Sequence, residues 1–166
     1  MAIDPQPVRA FVGLGSNLGG PVDQVKRALA ALAALPQSRM VSHSGLYGSK
    51  PWGGVEQPAF VNAVAELETS LQSRALLDAL LEIEHAQGRR RGGERWGPRV
   101  IDLDLLCYGT AEVDEPGLRL PHPHIAERSF VLVPLAEIAA DLAIPGIGAV
   151  STLLARIDTR DCLPIA

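Results

Sequence analysis

The first half of the chain changes its hydrophobic periodicity several times, and each change marks a predicted element. Val8 to Leu14 is a β-rich run that ends at Gly15-Ser16-Asn17, so we expect a strand followed by a tight turn that includes Gly13 and Gly15. A helix should begin near Pro21 and stop before Pro36. Its apolar stripe consists of Val25, Ala28, Leu29, Leu32 and Leu35. Residues 40–48 then favour an extended strand.

The next segments repeat the pattern of strands and helices. Residues 49–58 are rich in Gly and Pro and predict a loop, and residues 59–69 predict a strand. Ser73 should cap a second helix that ends before Gly88. Its apolar positions are Leu76, Leu77, Leu80, Leu81 and Ile83. A second loop at 88–98 leads to a strand from Arg99 to Tyr108.

This order of elements is β-α-β-β-α-β, which predicts an α+β fold, a ferredoxin-like sandwich. From about Leu118 we expect a short extended piece and additional C-terminal helices that cover one side of the sheet. A chain of 166 residues can bury one sizeable core, so residues 1–166 should form one domain.

Two aspartates interrupt the apolar strand in the segment RWGPRVIDLDLLCYG. Side chains alternate along a strand, so Asp102 and Asp104 should share one face while Leu103 and Leu105 take the other. Two neighbouring carboxylates in a half-buried strand require a cation. Arginine could supply it as an ordinary ion pair, and Mg²⁺ is the alternative because it takes one or two carboxylates and completes its shell with water and phosphate oxygens.

The loop before this strand is rich in arginine. It holds Arg89, Arg90, Arg91, Arg95 and Arg99. Guanidinium groups bind phosphate oxygens bidentately, whereas a merely solvated surface run would contain lysine as readily. The glycines of this loop should let it close over a ligand. Acids for a metal beside arginines for phosphate favour phosphoryl transfer.

Composition narrows the possible partners and the compartment. The net charge of −4 provides no general field for nucleic acid or anionic membranes. The first ten residues, MAIDPQPVRA, lack the pattern of a signal peptide, and the uncharged run 142–155 is broken by Pro and Gly. Only Cys107 and Cys162 are present, without metal-type spacing. We therefore expect a cytoplasmic protein with reduced thiols and no membrane contact.

Four segments together resemble the 6-hydroxymethyl-7,8-dihydropterin pyrophosphokinase family of folate biosynthesis. They are GLGSNLG at 13–19, QPAFVNAVAELET at 57–69, GERWGPRVIDLDLL at 93–106 and LPHPHIAERSFVLVPLAEIAADL at 120–142. The resemblance implies the ferredoxin-like fold already indicated by the element order. It also implies transfer of pyrophosphate from ATP to the pterin hydroxymethyl oxygen, with release of AMP and with two Mg²⁺ ions. The family is commonly monomeric, and we expect the same here.

The resemblance also implies roles for the charged residues. Asp102 and Asp104 would hold both Mg²⁺ ions, and Asp104 could also orient or deprotonate the hydroxymethyl group. Arg89 and Arg99 match the catalytic arginines. ATP contacts are expected from Glu84, Arg91, Arg95, Trp96, His122 and Arg128. Two of these keep a structural alternative: Glu84 as an exposed residue at a helix end, and Trp96 as a packing residue beneath the arginine loop.

A second group of residues matches the family's pterin site. Phe60 and Phe130 match the stacking aromatics, and Asn62 should lie on the same strand face as Phe60, where its amide can recognise the edge of the ring. The remaining members are Ser49 and Trp52, which would offer backbone groups, and Gly15, which would allow close approach. Either phenylalanine could instead belong to the core. Lys50, Leu81 and Pro123 depart from residues found in some family members and are not assigned to the site.

Three other classes and a zinc site fit the sequence less well. A dinucleotide-binding loop at GLGSNLG lacks the acid expected at the end of the following strand. An RNA-recognition module needs a basic and aromatic strand that AFVNAVAEL does not provide. A non-catalytic relative would have no electrostatic reason to keep the clustered acids. His122, His124 and Cys107 do not have the spacing of a zinc site.

Overall fold

The computed structural model describes residues 6–49, 59–88 and 100–165. The main sheet and its first two helices are β1 (Val8–Ser16), α1 (Pro21–Ala33), β2 (Ser38–His43), β3 (Tyr47–Ser49), β4 (Phe60–Thr69), α2 (Ser73–Ala86) and β5 (Asp102–Tyr108). The remaining elements are β6 (Val113–Glu115), β7 (Leu118–Leu120), a 3₁₀ turn (Ile125–Glu127), α3 (Ser129–Ala139), β8 (Ala143–Ile144), β9 (Gly148–Ala149), α4 (Val150–Leu154) and β10 (Cys162–Pro164).

The described strands form an antiparallel sheet of six, in which β4 and β1 are central. The order is β10-β3-β4-β1-β5, and β2 pairs with the same edge of β4 as β3 does, further along the strand. The predicted succession of strands and helices is therefore confirmed up to β5, as is the α+β class. Two short hairpins, β6-β7 and β8-β9, lie outside this sheet.

Helices cover both faces of the sheet. Alternate residues of the central strands, such as Val12 and Ala65, form one core with the apolar stripes of α1 and α2. On the opposite face, Phe11 and Val64 pack with α3 and α4. The expectation that C-terminal helices cover one side of the sheet is thus confirmed, and that same side carries the polar residues discussed below.

Several local predictions are wrong in detail. The turn expected at Gly13 and Gly15 does not occur, because both residues lie inside β1 and pair with strands on either side. The extended segment at 40–48 divides into β2 and β3, separated by residues 44–46. The hydroxyl of Ser44 accepts a hydrogen bond from the Val64 backbone N–H, which fills the gap in the ladder. Ser73 is the first residue of α2, and Gln72 occupies the cap position.

A β-bulge interrupts the pairing of β5 with β1. Phe11 is opposite Cys107 and Val12 is opposite Leu105, so Leu106 has no partner residue on β1. Its side chain joins the core beneath α3. Its carbonyl oxygen accepts a hydrogen bond of 2.9 Å from the backbone N–H of His122. The bulge therefore leaves a backbone acceptor on β5 that holds the chain after β7 against the strand that carries Asp102 and Asp104.

Candidate active site

The strand register brings the predicted metal and pterin residues onto one face of the sheet. Gly15 on β1 is opposite Asn62 on β4 and opposite Asp102 on β5. In the next row of the same face, Gly13 is opposite Asp104. The predicted placement of the two aspartates on one face is therefore confirmed. Their role as metal ligands stays a prediction.

Gly15 is buried and has no side chain on the strand surface between these two groups. A Cβ atom at this position would lie 3.2 Å from Oδ1 of Asn62 and 3.6 Å from Cδ1 of Phe60. We call the β1 backbone at Gly15 the Gly15 floor. The Asn62 amide and the Phe60 ring lie on one side of it, and the two carboxylates lie on the other.

Asn62 is buried and is oriented by a hydrogen bond. Its Nδ2 donates to Oγ of Ser49 at 2.6 Å, and its side chain lies among residues that exclude water. A buried amide needs partners for each of its polar atoms. The Oδ1 atom borders Gly15, so a ligand placed beside Gly15 would meet this acceptor.

Arg128 brings a positive charge to the carboxylates. It is the cap residue of α3, it is buried, and its Nη1 lies 3.8 Å from Oδ2 of Asp104. Its Cζ atom lies 5.5 Å from the centre of the Phe130 ring, a cation–π distance. Burial lowers the pKa of the guanidinium, and the nearby charges of Asp104 and Asp102 oppose that shift. One side chain therefore links the acid pair with the predicted stacking aromatic.

His122 is held as a neutral donor. Burial, followed by the positive charge of Arg128, lowers the pKa of its imidazole to about 4. Nδ1 accepts a hydrogen bond of 3.1 Å from the backbone N–H of His124. The hydrogen of the neutral ring must therefore be on Nε2, which suits it to donate to a phosphate oxygen.

Glu84 has a structural partner. It is almost fully buried at the C-terminal end of α2, and its Oε2 accepts a 2.7 Å hydrogen bond from the backbone N–H of Leu103. The suggestion of an exposed glutamate at a helix end is therefore wrong. Its position four residues after Leu80, in the buried stripe of the helix, is the sequence signal for this burial. An ATP contact by Glu84 stays a prediction.

The other predicted residues divide into two groups. Ser49 is buried at the end of β3, where its hydroxyl contacts Asn62. Phe60 is partly exposed, and Phe130, near the start of α3, packs only partly against the core, so both keep surface that a ligand could contact. Outside the described residues lie Trp52, Arg89, Arg91, Arg95, Trp96 and Arg99. Their assigned roles stay predictions.

Comparison with known proteins gives a consistent family. Residues 11–140 match the family described as 7,8-dihydro-6-hydroxymethylpterin-pyrophosphokinase. The 2-amino-4-hydroxy-6-hydroxymethyldihydropteridine pyrophosphokinase of Pseudomonas aeruginosa is 51% identical over 137 residues, which are 82% of this chain and 84% of that protein. The enzyme of the same name from Methylorubrum extorquens is 48% identical over 150 residues, 90% of this chain and 94% of that protein.

A solved structure agrees at the level of the fold. The HPPK-DHPS protein of Plasmodium falciparum, crystallised with pteroate, aligns with a TM-score of 0.72 and 11% identity. The alignment covers 94% of this chain but only 43% of that longer chain.

The sheet carries two acids on one face beside a buried arginine, as enzymes that act on phosphates often do, and the sequence comparisons show the family. The chain belongs to the 7,8-dihydro-6-hydroxymethylpterin-pyrophosphokinase family. It is accordingly an enzyme, a pyrophosphokinase, and the resemblance noted in the sequence is confirmed. Among the helices that the structure describes, none combines the length and apolar character needed to span a bilayer.

Proposed function

We propose that this protein transfers the pyrophosphoryl group of ATP to the hydroxymethyl oxygen of 6-hydroxymethyl-7,8-dihydropterin and releases AMP, as a step of folate biosynthesis. The observation that supports this most directly is the strand register. It aligns Asn62, Gly15 and Asp102 in one row, so the proposed site for a flat amide-rich ring would adjoin the proposed site for charged phosphates. The transfer requires these two sites to be neighbours.

The two carboxylates fit magnesium. Asp102 and Asp104 offer hard oxygen donors on one strand face, and both are only partly buried, which leaves room for water and phosphate oxygens. We propose that they hold two Mg²⁺ ions. The metal would supply neutralisation of the triphosphate charge and polarisation of the β-phosphorus. Arg128 balances part of the carboxylate charge from the side of α3.

The pterin would lie on the Gly15 floor. Asn62 would recognise the polar edge of the ring, and Phe60 and Phe130 would stack against its faces. Ser49 would hold the Asn62 amide in place through the hydrogen bond of 2.6 Å. Ser49 and Trp52 would also offer backbone groups to the edge of the ring, as the family resemblance implies.

In the transfer, the hydroxymethyl oxygen forms a bond to the β-phosphorus while the bond from that phosphorus to the α,β-bridging oxygen breaks. The hydroxyl proton would pass to the Asp104 carboxylate or to water, and AMP leaves with the bridging oxygen. Nε2–H of His122 would donate to a phosphate oxygen, and Arg128 would neutralise charge nearby. Arg89 and Arg99 are proposed as the catalytic arginines, with Glu84, Arg91, Arg95 and Trp96 as further ATP contacts.

Expectations about the fold type, the oligomeric state, the compartment and other partners belong to the same proposal. The order β2/β3-β4-β1-β5, antiparallel throughout, with α1 and α2 on one face, supports a ferredoxin-like sandwich as the central unit. A monomeric, cytoplasmic enzyme that contacts neither nucleic acid nor membranes is proposed on the net charge of −4 and on the family resemblance.

The test is an assay of the purified full chain with ATP, Mg²⁺ and the hydroxymethyl dihydropterin, in which AMP and ADP are separated by chromatography. We expect AMP to form only when the pterin is present, and chelation of Mg²⁺ should abolish its formation. Asp102→Asn and Asp104→Asn should each lower kcat about a thousand-fold, since each removes a charge that faces the phosphates. Release of ADP, or AMP release independent of the pterin, would refute the proposal.

A further inference from the structure

Helix α3 is fastened to the sheet at both ends. At its start, Arg128 reaches Asp104 on β5, with Nη1 and Oδ2 at 3.8 Å. Near its end, Glu137 reaches the segment that leads into β3. Nine residues of helix rise roughly 13 Å, and the three strand spacings from β5 through β1 and β4 to β3 span roughly 14 Å. The helix therefore bridges the whole width of the candidate site.

The second attachment is made by three hydrogen bonds to one carboxylate. The backbone N–H of Gly45 donates to both oxygens of Glu137, at 3.2 and 3.1 Å. The hydroxyl of Tyr47 donates to Oε1 of Glu137 at 2.5 Å. Burial and the contact with Glu137 raise the pKa of Tyr47 to about 12, so the phenol remains a donor at every physiological pH. We call this set of three residues the Glu137 clamp.

The sheet side of the Glu137 clamp is rigid. Ser44, the residue before Gly45, donates from its backbone N–H to the carbonyl of Val64 at 2.8 Å. Its hydroxyl accepts from the Val64 N–H at 2.9 Å and donates to the Gly45 carbonyl at 2.8 Å. Tyr47 is itself the register partner of Asn62. Glu137 is thus attached to the part of β4 that carries the predicted pterin amide.

On the helix side, the Glu137 clamp lies on the same helix as Phe130, which is proposed to contact the opposite face of the pterin. Phe130 precedes Glu137 by seven residues, which is two helical turns, so both side chains project from the same side of α3. A shift or tilt of the helix at Glu137 would move Phe130 relative to Phe60 and Asn62. The distance between Phe130 and the Phe60 and Asn62 side of the sheet sets the gap for a ring about 3.4 Å thick. The stacking energy falls steeply when this gap is too wide.

We propose that Glu137 is a positioning residue that sets the separation between the two walls of the pterin site, acting through Tyr47 and Gly45. The inference rests on the proposed function, because it assumes that the ring lies between α3 and the sheet. Glu137 does not touch the reacting groups. Loss of the Glu137 side chain should weaken pterin binding. ATP binding should not change, because Arg128 and Asp104 keep their own contact.

The experiment measures KM for the pterin, KM for ATP, kcat and the thermal midpoint of the full chain and three variants. Glu137→Ala should raise KM for the pterin about tenfold, equivalent to about 1.4 kcal/mol, and leave KM for ATP within about twofold. Tyr47→Phe removes one hydroxyl and should give a smaller rise, about threefold. Glu137→Gln keeps an oxygen acceptor and should restore the pterin KM to within about threefold of the wild type.

Tyr108→Phe is the matched control. The hydroxyl of Tyr108 donates to the Leu71 carbonyl at 2.7 Å on the α2 side of the sheet, so its loss should change neither KM. A lower thermal midpoint for Tyr47→Phe and Glu137→Ala with an unchanged pterin KM would overturn the proposal, and so would an equal rise in both KM values. Wild-type AMP release establishes the enzymatic function separately, so failure of the Glu137 clamp and failure of the proposed function give different results.

Discussion

The partly buried imidazole of His122 predicts a specific loss of stability in mild acid. An unfolded histidine titrates near 6.5, whereas burial and the neighbouring charge of Arg128 lower the pKa of His122 to about 4 in the folded protein. Between these two values the unfolded chain binds the extra proton, so the free energy of unfolding rises with pH. The contribution is complete above pH 6.5 and is lost as the pH falls towards 4. A shift of this size corresponds to at most about 3.4 kcal/mol.

His122→Asn isolates this effect. The side-chain oxygen of asparagine can accept the hydrogen bond that Nδ1 now accepts from the His124 backbone, and the variant cannot be protonated. Urea unfolding followed by circular dichroism, without nucleotide or Mg²⁺, gives the free energy of unfolding of both proteins from pH 7.5 to 4.5. Acidification should destabilise the wild type more than the variant, by about 2 kcal/mol at pH 4.5. Curves that stay parallel within about 0.5 kcal/mol would refute the reasoning.

Two substitutions on β1 and one on β4 test the floor of the site. Gly15→Ala should raise KM for the pterin at least about tenfold, because the new Cβ would lie 3.2 Å from Oδ1 of Asn62. Gly13→Ala is its control on the same strand face, since its Cβ would meet only the flexible side chain of Leu106, at 3.4 Å. Equal effects of the two alanines on the pterin KM would show that the floor is not where the ring binds. Asn62→Ala should weaken pterin binding about a hundred-fold while ATP affinity, measured by calorimetry with a non-hydrolysable analogue, changes little. Weaker ATP binding alone would place the pterin elsewhere.

Side-chain alternation is the part of the site that sequence reasoning predicts well. A strand has a period of two, so the shared face of Asp102 and Asp104, and that of Phe60 and Asn62, follow once the strands are recognised. That these pairs lie on the same side of neighbouring strands depends on register. Register is set by long-range pairing with β1, which no local pattern encodes.

Side-chain alternation does not predict features that depend on a single backbone or side-chain hydrogen bond between distant parts of the chain. The β-bulge at Leu106 places His122 through a carbonyl oxygen, and no residue type marks that position. The division of the second strand depends on the hydroxyl of Ser44, which replaces one ladder hydrogen bond. Glu137 was also missed, because an exposed glutamate on a helix has no sequence signal for partners ninety or more residues away.

The hydrogen bond from the Leu103 amide to Glu84 has a consequence for self-association. β5 is the outer strand of the described sheet, and an uncovered outer strand offers its backbone groups to strands of other molecules. A carboxylate from α2 occupies the Leu103 amide, and its charge would oppose the carbonyl oxygens of an incoming strand. The same contact that holds the strand of the acid pair in place therefore also discourages edge-to-edge aggregation at that border.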